Sequence, residues 1–357
     1  MGKHRVLVVG LGKRGKHHAA HFHANANFEV VGLCDVIPAP LAGFAPTVGN
    51  PPTGTDAAAM ARELKPDVFC FCTLPSIRSE MIRIGVECGA RLIAFEKPVA
   101  LTTGEGLEVK ELLSRSPAKV VVSHQHRYGK HYQAVKDAIV GGKIGKVHTV
   151  YGVAHGWAAH MLSHLIDYSM WYNDYAKPSW VMAQAAGKHK LSDVHASPDY
   201  VGGFVQFANG VRGIYECGGG APDVPEVQRW WGKNRIGATG TEGYAEVYTG
   251  NGWKAVTPNG VLAGDGTMAY DQDMPGYIQD MADWLDRGKV HPCCFENAYA
   301  GFEVMMGMLR SAARGGQVAL PLLDGANELE ELRRAMSGAP LQVTLEESRK
   351  EYMPALP

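Results

Sequence analysis

Glu96, Lys97 and Pro98 directly follow a short apolar run, residues 92–95. A strand that simply ends at the surface usually ends on Gly, Asn or Asp, which suit turns. A lysine at the end of a buried strand could instead polarise a hydroxyl group or hold down the pKa of a neighbouring acid–base group. Pro98 fixes the backbone after Lys97 and is a candidate for a cis peptide bond. On position alone, a lysine that caps the strand in solvent is an equally good interpretation.

A glycine-rich turn, GLGKRG at residues 10–15, lies between an apolar run and a helical stretch. In such a turn the first glycine allows a tight bend, the second lets the backbone approach a pyrophosphate, and the third packs helix against strand. Asp35 ends the next strand, 20 residues after Gly15, where an acid can hold a ribose 2′-hydroxyl. The pattern predicts a dinucleotide site at Gly10, Gly12 and Gly15. The alternative is a tight turn in a fold that binds no nucleotide.

Asp35 also indicates which dinucleotide binds. A carboxylate repels a 2′-phosphate, and Val36 and Ile37 supply no cation to pair with one. We therefore expect NAD, with NADP less favoured. Lys13 and Arg14 weaken this preference, because either cation could reach a phosphate.

A helical stretch, residues 160–172, places His160, His164, Asp167 and Trp171 on one face through spacings of four, three and four. Imidazole suits proton transfer because its ordinary pKa lies near neutrality. The alternative for His164 is a core histidine. His160 and His164 have the i, i+4 spacing of zinc helices, and further histidines lie at positions 124, 126, 131 and 155. No Glu follows His160 as in the H-E-x-x-H motif, so we predict no metal.

The composition is that of a globular protein: 357 residues, 46% hydrophobic and 20% charged, with a formal net charge of -1. This near-neutral charge does not indicate the positively charged surface that binds nucleic acid. No apolar run approaches the roughly 20 residues needed to span a bilayer. The N-terminal apolar run is too short for a signal peptide. Seven cysteines at irregular spacing make a disulfide framework unexpected, and we expect a cytoplasmic protein. Cys70 and Cys72 lie in an apolar strand and are interpreted as small hydrophobic residues.

Strand and helix patterns alternate over the first 120 residues or so, which predicts a doubly wound parallel sheet. Strands are expected at 4–10, 28–35, 68–74, 91–97 and 119–125, with helices at 76–90 and 102–116 among others. After about residue 130, strand-like runs with few helices between them predict a mostly antiparallel sheet. We expect a nucleotide-binding domain at 1–125, a substrate-binding and oligomerisation domain at 126–325, and a helix and tail at 326–357.

The sequence resembles the Gfo/Idh/MocA family, named after glucose-fructose oxidoreductase and inositol dehydrogenase. The resemblance covers about residues 4 to 322, and the FEKP turn and the histidine helix are its more specific parts. It is carried by GLGKRG (10–15), Asp35, TLP (73–75), FEKP (95–98), HRY (126–128), GGKIGKV (141–147), HMLSHLID (160–167), GTEG (240–243) and SAARGGQVALP (311–321).

The resemblance implies an α/β Rossmann domain followed by an open-faced, mostly antiparallel sheet domain of α+β type. It also implies homodimers or homotetramers formed through that open sheet. Lys97 would touch both cofactor and substrate. The remaining cofactor-binding residues would be Gly10, Gly12, Lys13, Arg14, Gly15, Asp35, Thr73, Leu74, Pro75, Glu96 and Gln125.

In the family, the helix reads acid-x-x-x-His, and the histidine takes the proton from the substrate hydroxyl. His164 matches that histidine. His160 stands where an acid is usual, so it is either a substrate ligand and part of a catalytic set with Lys97 and His164, or a mark of altered chemistry. Arg127 matches a position near the substrate, although residues 128–130 depart from the usual aromatic-Asp-Pro.

His155 is a further candidate substrate ligand, with a surface histidine as the alternative. Trp230, Trp231 and Arg235 could frame a sugar ring or an anion, or could equally be packing residues.

The leading functional hypothesis is an NAD-dependent dehydrogenase acting on a secondary hydroxyl of a sugar, polyol or sugar derivative. A second is redox-neutral cleavage of glycosides through transient oxidation at C3, elimination and re-reduction. The extra histidines motivate this second hypothesis, because elimination needs additional acid–base groups. A third, a sensor that binds the cofactor without catalysis, is disfavoured by the presence of both Lys97 and His164.

Overall fold

A computed structural model describes residues 2–225, 227, 232–248 and 250–337. Trp230, Trp231 and the expected tail after residue 337 lie outside the described residues. The described part divides into two compact units. The first comprises residues 1–128 and 269–299, and the second comprises the remainder.

The first unit is built on a six-stranded parallel sheet. Its strands are β1 His4–Val9, β2 Phe28–Cys34, β3 Thr53–Gly54, β4 Val68–Phe71, β5 Leu92–Glu96 and β6 Lys119–Ser123. Its first five helices are α1 Lys13–Ala24, α2 Ala39–Phe44, α3 Ala57–Leu64, α4 Arg78–Glu87 and α5 Thr103–Ser114. Short 3₁₀ helices occur at Ala45–Val48, Pro75–Ile77 and Gln125–Tyr128.

The strand order β3-β2-β1-β4-β5-β6 is that of a dinucleotide-binding Rossmann sheet. The middle of each long strand is apolar because helices cover both faces of the sheet: Val6, Leu7 and Val8 in β1 are all fully buried. The predicted doubly wound parallel sheet is therefore confirmed. The two-residue strand β3 was not predicted, since two residues carry no hydrophobic periodicity. Lys97 consequently follows the fifth strand in chain order, not the fourth.

The second unit contains a nine-stranded sheet in the order β14-β13-β12-β11-β7-β10-β9-β8-β15. All neighbouring pairs are antiparallel except β7 with β10, so the sheet is mixed and mostly antiparallel, as predicted. The strands are β7 Val147–Ala154, β8 Pro178–Ala186, β9 Tyr200–Phe207, β10 Arg212–Gly218, β11 Asn234–Gly240, β12 Gly243–Tyr248, β13 Gly252–Thr257, β14 Gly260–Gly264 and β15 Val318–Ala319. The helices that precede β8 are α6 Lys130–Val140 and α7 Ala158–Tyr172, and a 3₁₀ helix spans His189–Ser192.

One face of this sheet is covered by α7. A Cβ added to Gly152 on β7 would lie 2.6 Å from Leu165 Cβ, so the glycine permits the close approach of helix to strand. The opposite face carries large exposed apolar side chains: Met182 is 46% exposed and Phe204 is 50% exposed. The sheet is thus open on one side.

The three remaining helices are α8 Tyr270–Arg287, α9 Phe295–Arg314 and α10 Glu328–Ala335. Although α8 follows the second sheet in sequence, it completes the core of the first unit. Met274, Tyr277 and Ile278 pack in one hydrophobic cluster with Val8 and Phe22. The expected division after residue 125 assigned residues 269–299 to the second domain. In the structure this segment returns to the first unit.

Candidate active site

The three glycines of the first turn differ in what surrounds them. Gly10 has φ +85°, and an added Cβ would lie 2.7 Å from the Cys72 carbonyl oxygen. At Gly15 an added Cβ would lie 1.8 Å from the Gly10 carbonyl oxygen, so only glycine allows α1 to start this close to β1. An added Cβ at Gly12 would meet nothing within 4 Å. The protein therefore needs Gly10 and Gly15 for its own packing and leaves open space at Gly12.

Asp35 is fixed beside this turn by two backbone amides. Leu11 N–H donates to Asp35 Oδ2 at 2.5 Å, and Ile37 N–H donates to Oδ1 at 2.8 Å. These bonds hold the carboxylate at the carboxyl end of β2, next to the glycine turn. Val36 and Ile37 are 82% and 60% exposed. The carboxylate position thus has the charge and surroundings that favour a ribose diol over a 2′-phosphate.

Lys13 and Arg14 differ in their placement. The Lys13 side chain is exposed, whereas the Arg14 guanidinium lies 4.0 Å from the centre of the Tyr270 ring. His17 also stacks on Tyr270, at 4.9 Å between ring centroids. Burial, followed by the charges of Arg14 and Lys13, lowers the pKa of His17. Tyr270 therefore positions two side chains of α1, and it belongs to the segment that the sequence assigned to the other domain.

Thr73, Leu74 and Pro75 follow β4 at the same edge of the sheet. The Thr73 hydroxyl oxygen is buried and has no hydrogen-bond partner among the described residues. Leu74 is 53% exposed, and Pro75 begins a 3₁₀ turn. A buried hydroxyl without a partner is costly, and a bound polar ligand would satisfy it.

Glu96 is held by a histidine that the sequence interpretation did not single out. His18 Nε2, on α1, lies 3.2 Å from Glu96 Oε1, and His18 is only 2% exposed. Burial alone would raise the pKa of Glu96, but the hydrogen bond from His18 and the charges of His18, Arg14 and Lys97 lower it to about 2. Glu96 is thus a carboxylate at neutral pH.

Lys97 follows Glu96 at the end of β5, and the Lys97–Pro98 peptide bond is cis. Burial lowers the pKa of Lys97 to about 8, against the raising effect of Glu96, and Arg14 and Arg78 lower it further. Arg78 donates to the Pro98 carbonyl at 3.1 Å and packs over the Phe95 ring. A buried arginine of α4 therefore anchors the turn that carries Lys97. The pKa of the Lys97 amine, about 8, lies close to neutral pH.

Gln125 and Arg127 follow β6, in a 3₁₀ turn. Ser123 donates to the Gln125 side-chain oxygen at 2.9 Å, which orients the amide. Arg127 is 1% exposed and donates to the Pro292 carbonyl at 2.7 Å. In the first unit Arg127 thus ties the end of β6 to the segment after α8. Its expected contact with substrate stays a prediction.

In the second unit, α7 carries His160 and His164 one turn apart, both partly exposed. The His164 ring stacks on Tyr168, with centroids 5.6 Å apart and planes 19° apart. Tyr168 and Asp167 are buried, so Asp167 belongs to the packed side of the helix. Stacking on a buried ring fixes the orientation of the His164 imidazole.

His160 belongs to an aromatic and basic cluster that the sequence did not reveal. Its ring lies 4.7 Å from Trp157 and 4.8 Å from His195. Lys190 Nζ lies 4.9 Å from the centre of the Trp157 ring. The indole Nε1 of Trp157 is buried without a hydrogen-bond partner among the described residues. Because residues 157 and 195 are distant in sequence, no local spacing could have grouped them.

His155 is buried at 6% exposure, so the alternative of a surface histidine is wrong. Its Nδ1 lies 3.1 Å from the Ala221 carbonyl oxygen, and its backbone amide donates to the Lys233 carbonyl. Lys233 is 1% exposed, and its Nζ lies 2.6 and 2.8 Å from the two oxygens of Asp223. His155 is therefore placed by a loop that is stabilised by an ion pair between the buried Lys233 and the partly exposed Asp223.

The first unit fits a dinucleotide on three independent observations. These are the open space at Gly12, the unpartnered Thr73 hydroxyl and the fixed Asp35 carboxylate. In addition, α1 has no side-chain cap at its N-terminus. Its first amides and positive dipole end are therefore available to phosphate oxygens.

Residues 4–124 match the family model described as "Oxidoreductase family, NAD-binding Rossmann fold", GFO_IDH_MocA. These residues, about a third of the chain, resemble the NAD-binding domain of that oxidoreductase family. The predicted NAD-binding Rossmann fold is thereby confirmed for these residues.

One curated relative that the chain is similar to is inositol 2-dehydrogenase of Rhizobium meliloti, 30% identical over 146 residues. That alignment covers 41% of this chain and 43% of the relative, so the chain spans less than half the relative's length in this match.

Solved structures extend the likeness in fold to both units. Myo-inositol 2-dehydrogenase of Lactobacillus plantarum has a TM-score of 0.70 at 18% identity, covering 89% of this chain and 100% of that one. Levoglucosan dehydrogenase, in complex with NADH and levoglucosan, has a TM-score of 0.75 at 17% identity, covering 90% of this chain and 100% of that one.

None of the described helices is both long and apolar enough to cross a membrane.

Proposed function

We propose that the protein is an NAD-dependent dehydrogenase that oxidises a secondary hydroxyl of a sugar, polyol or sugar derivative. The observation that carries the proposal is Lys97, a partly exposed residue that directly follows β5 at the carboxyl edge of an NAD-binding sheet. Ligands of such sheets bind beyond the carboxyl ends of the strands. When bound there, nicotinamide supplies the acceptor for a hydride.

Lys97 is proposed to hold the hydroxyl that is oxidised. As an ammonium it can donate a hydrogen bond to the hydroxyl oxygen, which fixes the carbon that carries the departing hydrogen. With a pKa of about 8, the group is mostly charged at neutral pH. The Glu96 carboxylate beside it favours the charged form.

His164 is proposed to take the proton of the same hydroxyl. This role comes from the family resemblance, and the stacking on Tyr168 supports it because a general base must be held in one orientation. His160 is proposed as a substrate ligand rather than as the base. Its contacts with Trp157 and His195 support that role, since an aromatic face and polar rings suit a sugar.

Redox-neutral glycoside cleavage is not favoured, because the relatives named above are dehydrogenases of inositol and levoglucosan. The two reactions leave different products. A dehydrogenase accumulates NADH in proportion to the oxidised substrate, whereas the cleavage reaction regenerates NAD and releases a sugar and an aglycone.

The test is incubation of the full chain with NAD and a panel of polyols, sugars, anhydrosugars and glycosides, with NADH and products measured together. We expect steady NADH formation with at least one polyol or sugar. Lys97→Met and His164→Asn should each lower kcat at least 100-fold, the usual range for loss of an acid–base group. Lys143→Met and His148→Asn, at exposed positions, are matched controls that should retain activity. Full activity of Lys97→Met would refute the mechanism.

For the cofactor, we propose a preference for NAD over NADP, supported by the Asp35 carboxylate held by Leu11 and Ile37. KM values for both cofactors test it, and a lower value for NADP would contradict it. Asp35→Ser should reduce the difference between the KM values for NAD and NADP, because it removes the negative charge that repels a 2′-phosphate.

We also propose that the protein forms a homodimer or homotetramer through the open face of its second sheet. Met182 pairs with Phe204, and Phe204 pairs with Ile214, so these side chains form one apolar row across three strands. Phe204→Glu should yield monomers in light scattering, whereas Val36→Glu, an exposed apolar position in the first unit, should not change the mass. A wild-type monomer would overturn the proposal.

A further inference from the structure

Three soft or borderline ligand atoms meet under the glycine turn of the first unit. One ring nitrogen of His18 and the Sγ atoms of Cys70 and Cys72 all lie within 4.8 Å of one another. The two cysteines are two residues apart in sequence, at the end of β4, and side chains at that spacing along a strand point to the same side. His18 comes from α1. All three residues belong to the first unit.

The His18 ring is arranged as a metal-ligating imidazole usually is. Its Nε2 is engaged with the Glu96 carboxylate at 3.2 Å, while Nδ1 is buried without a hydrogen-bond partner among the described residues. Metal-bound histidines commonly present one nitrogen to a carboxylate and the other to the cation. A ring that is 98% buried would otherwise leave a polar atom unsatisfied, which is uncommon.

We propose that His18, Cys70 and Cys72 form a binding site for one Zn²⁺ or a similar thiophilic divalent cation. Two thiolates and one imidazole are a zinc donor set, and a fourth position stays open to water. In a tetrahedral zinc site with Zn–S of about 2.3 Å, neighbouring ligand atoms lie roughly 3.8 Å apart. The three atoms here need to approach by about 1 Å, and the two thiols release two protons to solvent as the bonds form.

The position of the site implies that the cation opposes NAD. A Cβ built on Gly10 would lie 2.7 Å from the carbonyl oxygen of Cys72, and a Cβ built on Gly15 would lie 3.6 Å from Cys72 Cβ, so Cys72 packs directly against the glycine turn. Glu96, which holds the His18 ring, precedes Lys97. Drawing the three ligands together therefore displaces the glycine turn and the lysine turn. By linkage, if the cation lowers the affinity for NAD, then NAD lowers the affinity for the cation by the same factor.

The test uses the full chain, reduced and freed of metal, titrated with Cd²⁺ while thiolate-to-cadmium charge-transfer absorbance is followed, and with Zn²⁺ by calorimetry. We expect one equivalent of either cation. The signal should be lost in Cys70→Ser and Cys72→Ser, and His18→Gln should weaken binding at least tenfold. Cys88→Ser, a partly buried thiol at the end of α4, is the matched control and should bind normally.

A second measurement does not depend on the variants folding. In the wild-type chain, Zn²⁺ should protect Cys70 and Cys72 from alkylation, as read by mass spectrometry, and leave Cys88 reactive. NADH fluorescence titration should give at least a tenfold weaker affinity with Zn²⁺ present. Absence of a cadmium band, a band that survives Cys72→Ser, or equal alkylation with and without Zn²⁺ would overturn the proposal. None of these readouts requires that the protein be a dehydrogenase.

Discussion

His18 Nε2 lies 3.2 Å from Glu96 Oε1, and this contact links α1 to the strand end that carries Lys97. The His18 ring, the Glu96 carboxylate and the Lys97 amine therefore belong to neighbouring residues at the carboxyl edge of the sheet. Glu96 raises the pKa of Lys97, and His18 lowers the pKa of Glu96. The reactivity of the lysine thus depends on a residue of the helix that follows the glycine turn.

Replacement of Glu96 should therefore change the pH dependence of the reaction. If the Lys97 ammonium is required, kcat/KM falls as pH rises through about 8, which forms the alkaline limb of the profile. Glu96→Gln removes the charge that raises the pKa of Lys97, so the fall should move to lower pH by about one unit. The measurement is kcat/KM from neutral to alkaline pH, with Glu111→Gln, an exposed position of α5, as control. An unchanged alkaline limb would contradict the assignment.

The same contact should stabilise the fold within a defined pH window. The pKa of Glu96 is lowered in the folded state, so its contribution is present above the ordinary carboxyl value and lost as pH falls toward about 2. Burial lowers the pKa of His18, but Cys72 and the hydrogen bond with Glu96 raise it by more, so the net shift is upward. The contribution of His18 to stability is therefore present below the ordinary imidazole pKa and lost at higher pH. The contributions of Glu96 and His18 to stability are both fully present between about pH 4.5 and 6.5.

His18→Ala should therefore lower the free energy of unfolding most near pH 5.5, by about 2 kcal/mol, the range for a hydrogen bond to a charged group. Urea unfolding near pH 3, 5.5 and 8.5 would show a smaller loss at both extremes. His23→Ala, exposed on the same helix, should have little effect at any pH. A loss that does not vary with pH would show that His18 acts through packing alone.

Two glycines of the first turn should separate cofactor binding from stability. Gly12→Ala adds a methyl group to open space, so stability should stay within about 1 kcal/mol while NAD affinity falls at least tenfold. Gly15→Ala forces a Cβ to 1.8 Å from the Gly10 oxygen, so it should lower stability by about 2 kcal/mol or more. Thermal unfolding with and without NAD measures both effects. Equal NAD affinity of Gly12→Ala and wild type would contradict the position of the pyrophosphate.

Removal of either partner of the Lys233–Asp223 ion pair should destabilise the protein, but by different amounts, because only Lys233 is buried. Asp223→Ala leaves an uncompensated charge on a lysine that is 1% exposed, and should cost about 3 kcal/mol. Lys233→Met leaves the carboxylate of the partly exposed Asp223 able to reach water, and should cost less. Denaturant unfolding of both variants gives the comparison. A larger loss for Lys233→Met would mean that the lysine stem, rather than the charge pair, stabilises this loop.

The local part of the dinucleotide site could be predicted from sequence because its parts are close together along the chain. The turn at Gly10, Gly12 and Gly15 and the lysine after β5 are fixed by strand, turn and helix patterns of a few residues. Hydrophobic runs located five of the six parallel strands for the same reason. The exception, β3, has two residues and no periodicity that a pattern could show.

Tertiary structure alone decided which side chains support that site. His18 reaches Glu96 across 78 positions, and Tyr270 reaches Arg14 across more than 250, through α8, which returns to the first unit after the whole second sheet. In the sequence, His18 was one of several histidines in α1, and Cys70 and Cys72 were two apolar-strand thiols. Sequence spacing determines which residues a single helix or strand presents together. Contacts between distant elements depend on how apolar faces pack, and only the folded chain shows them.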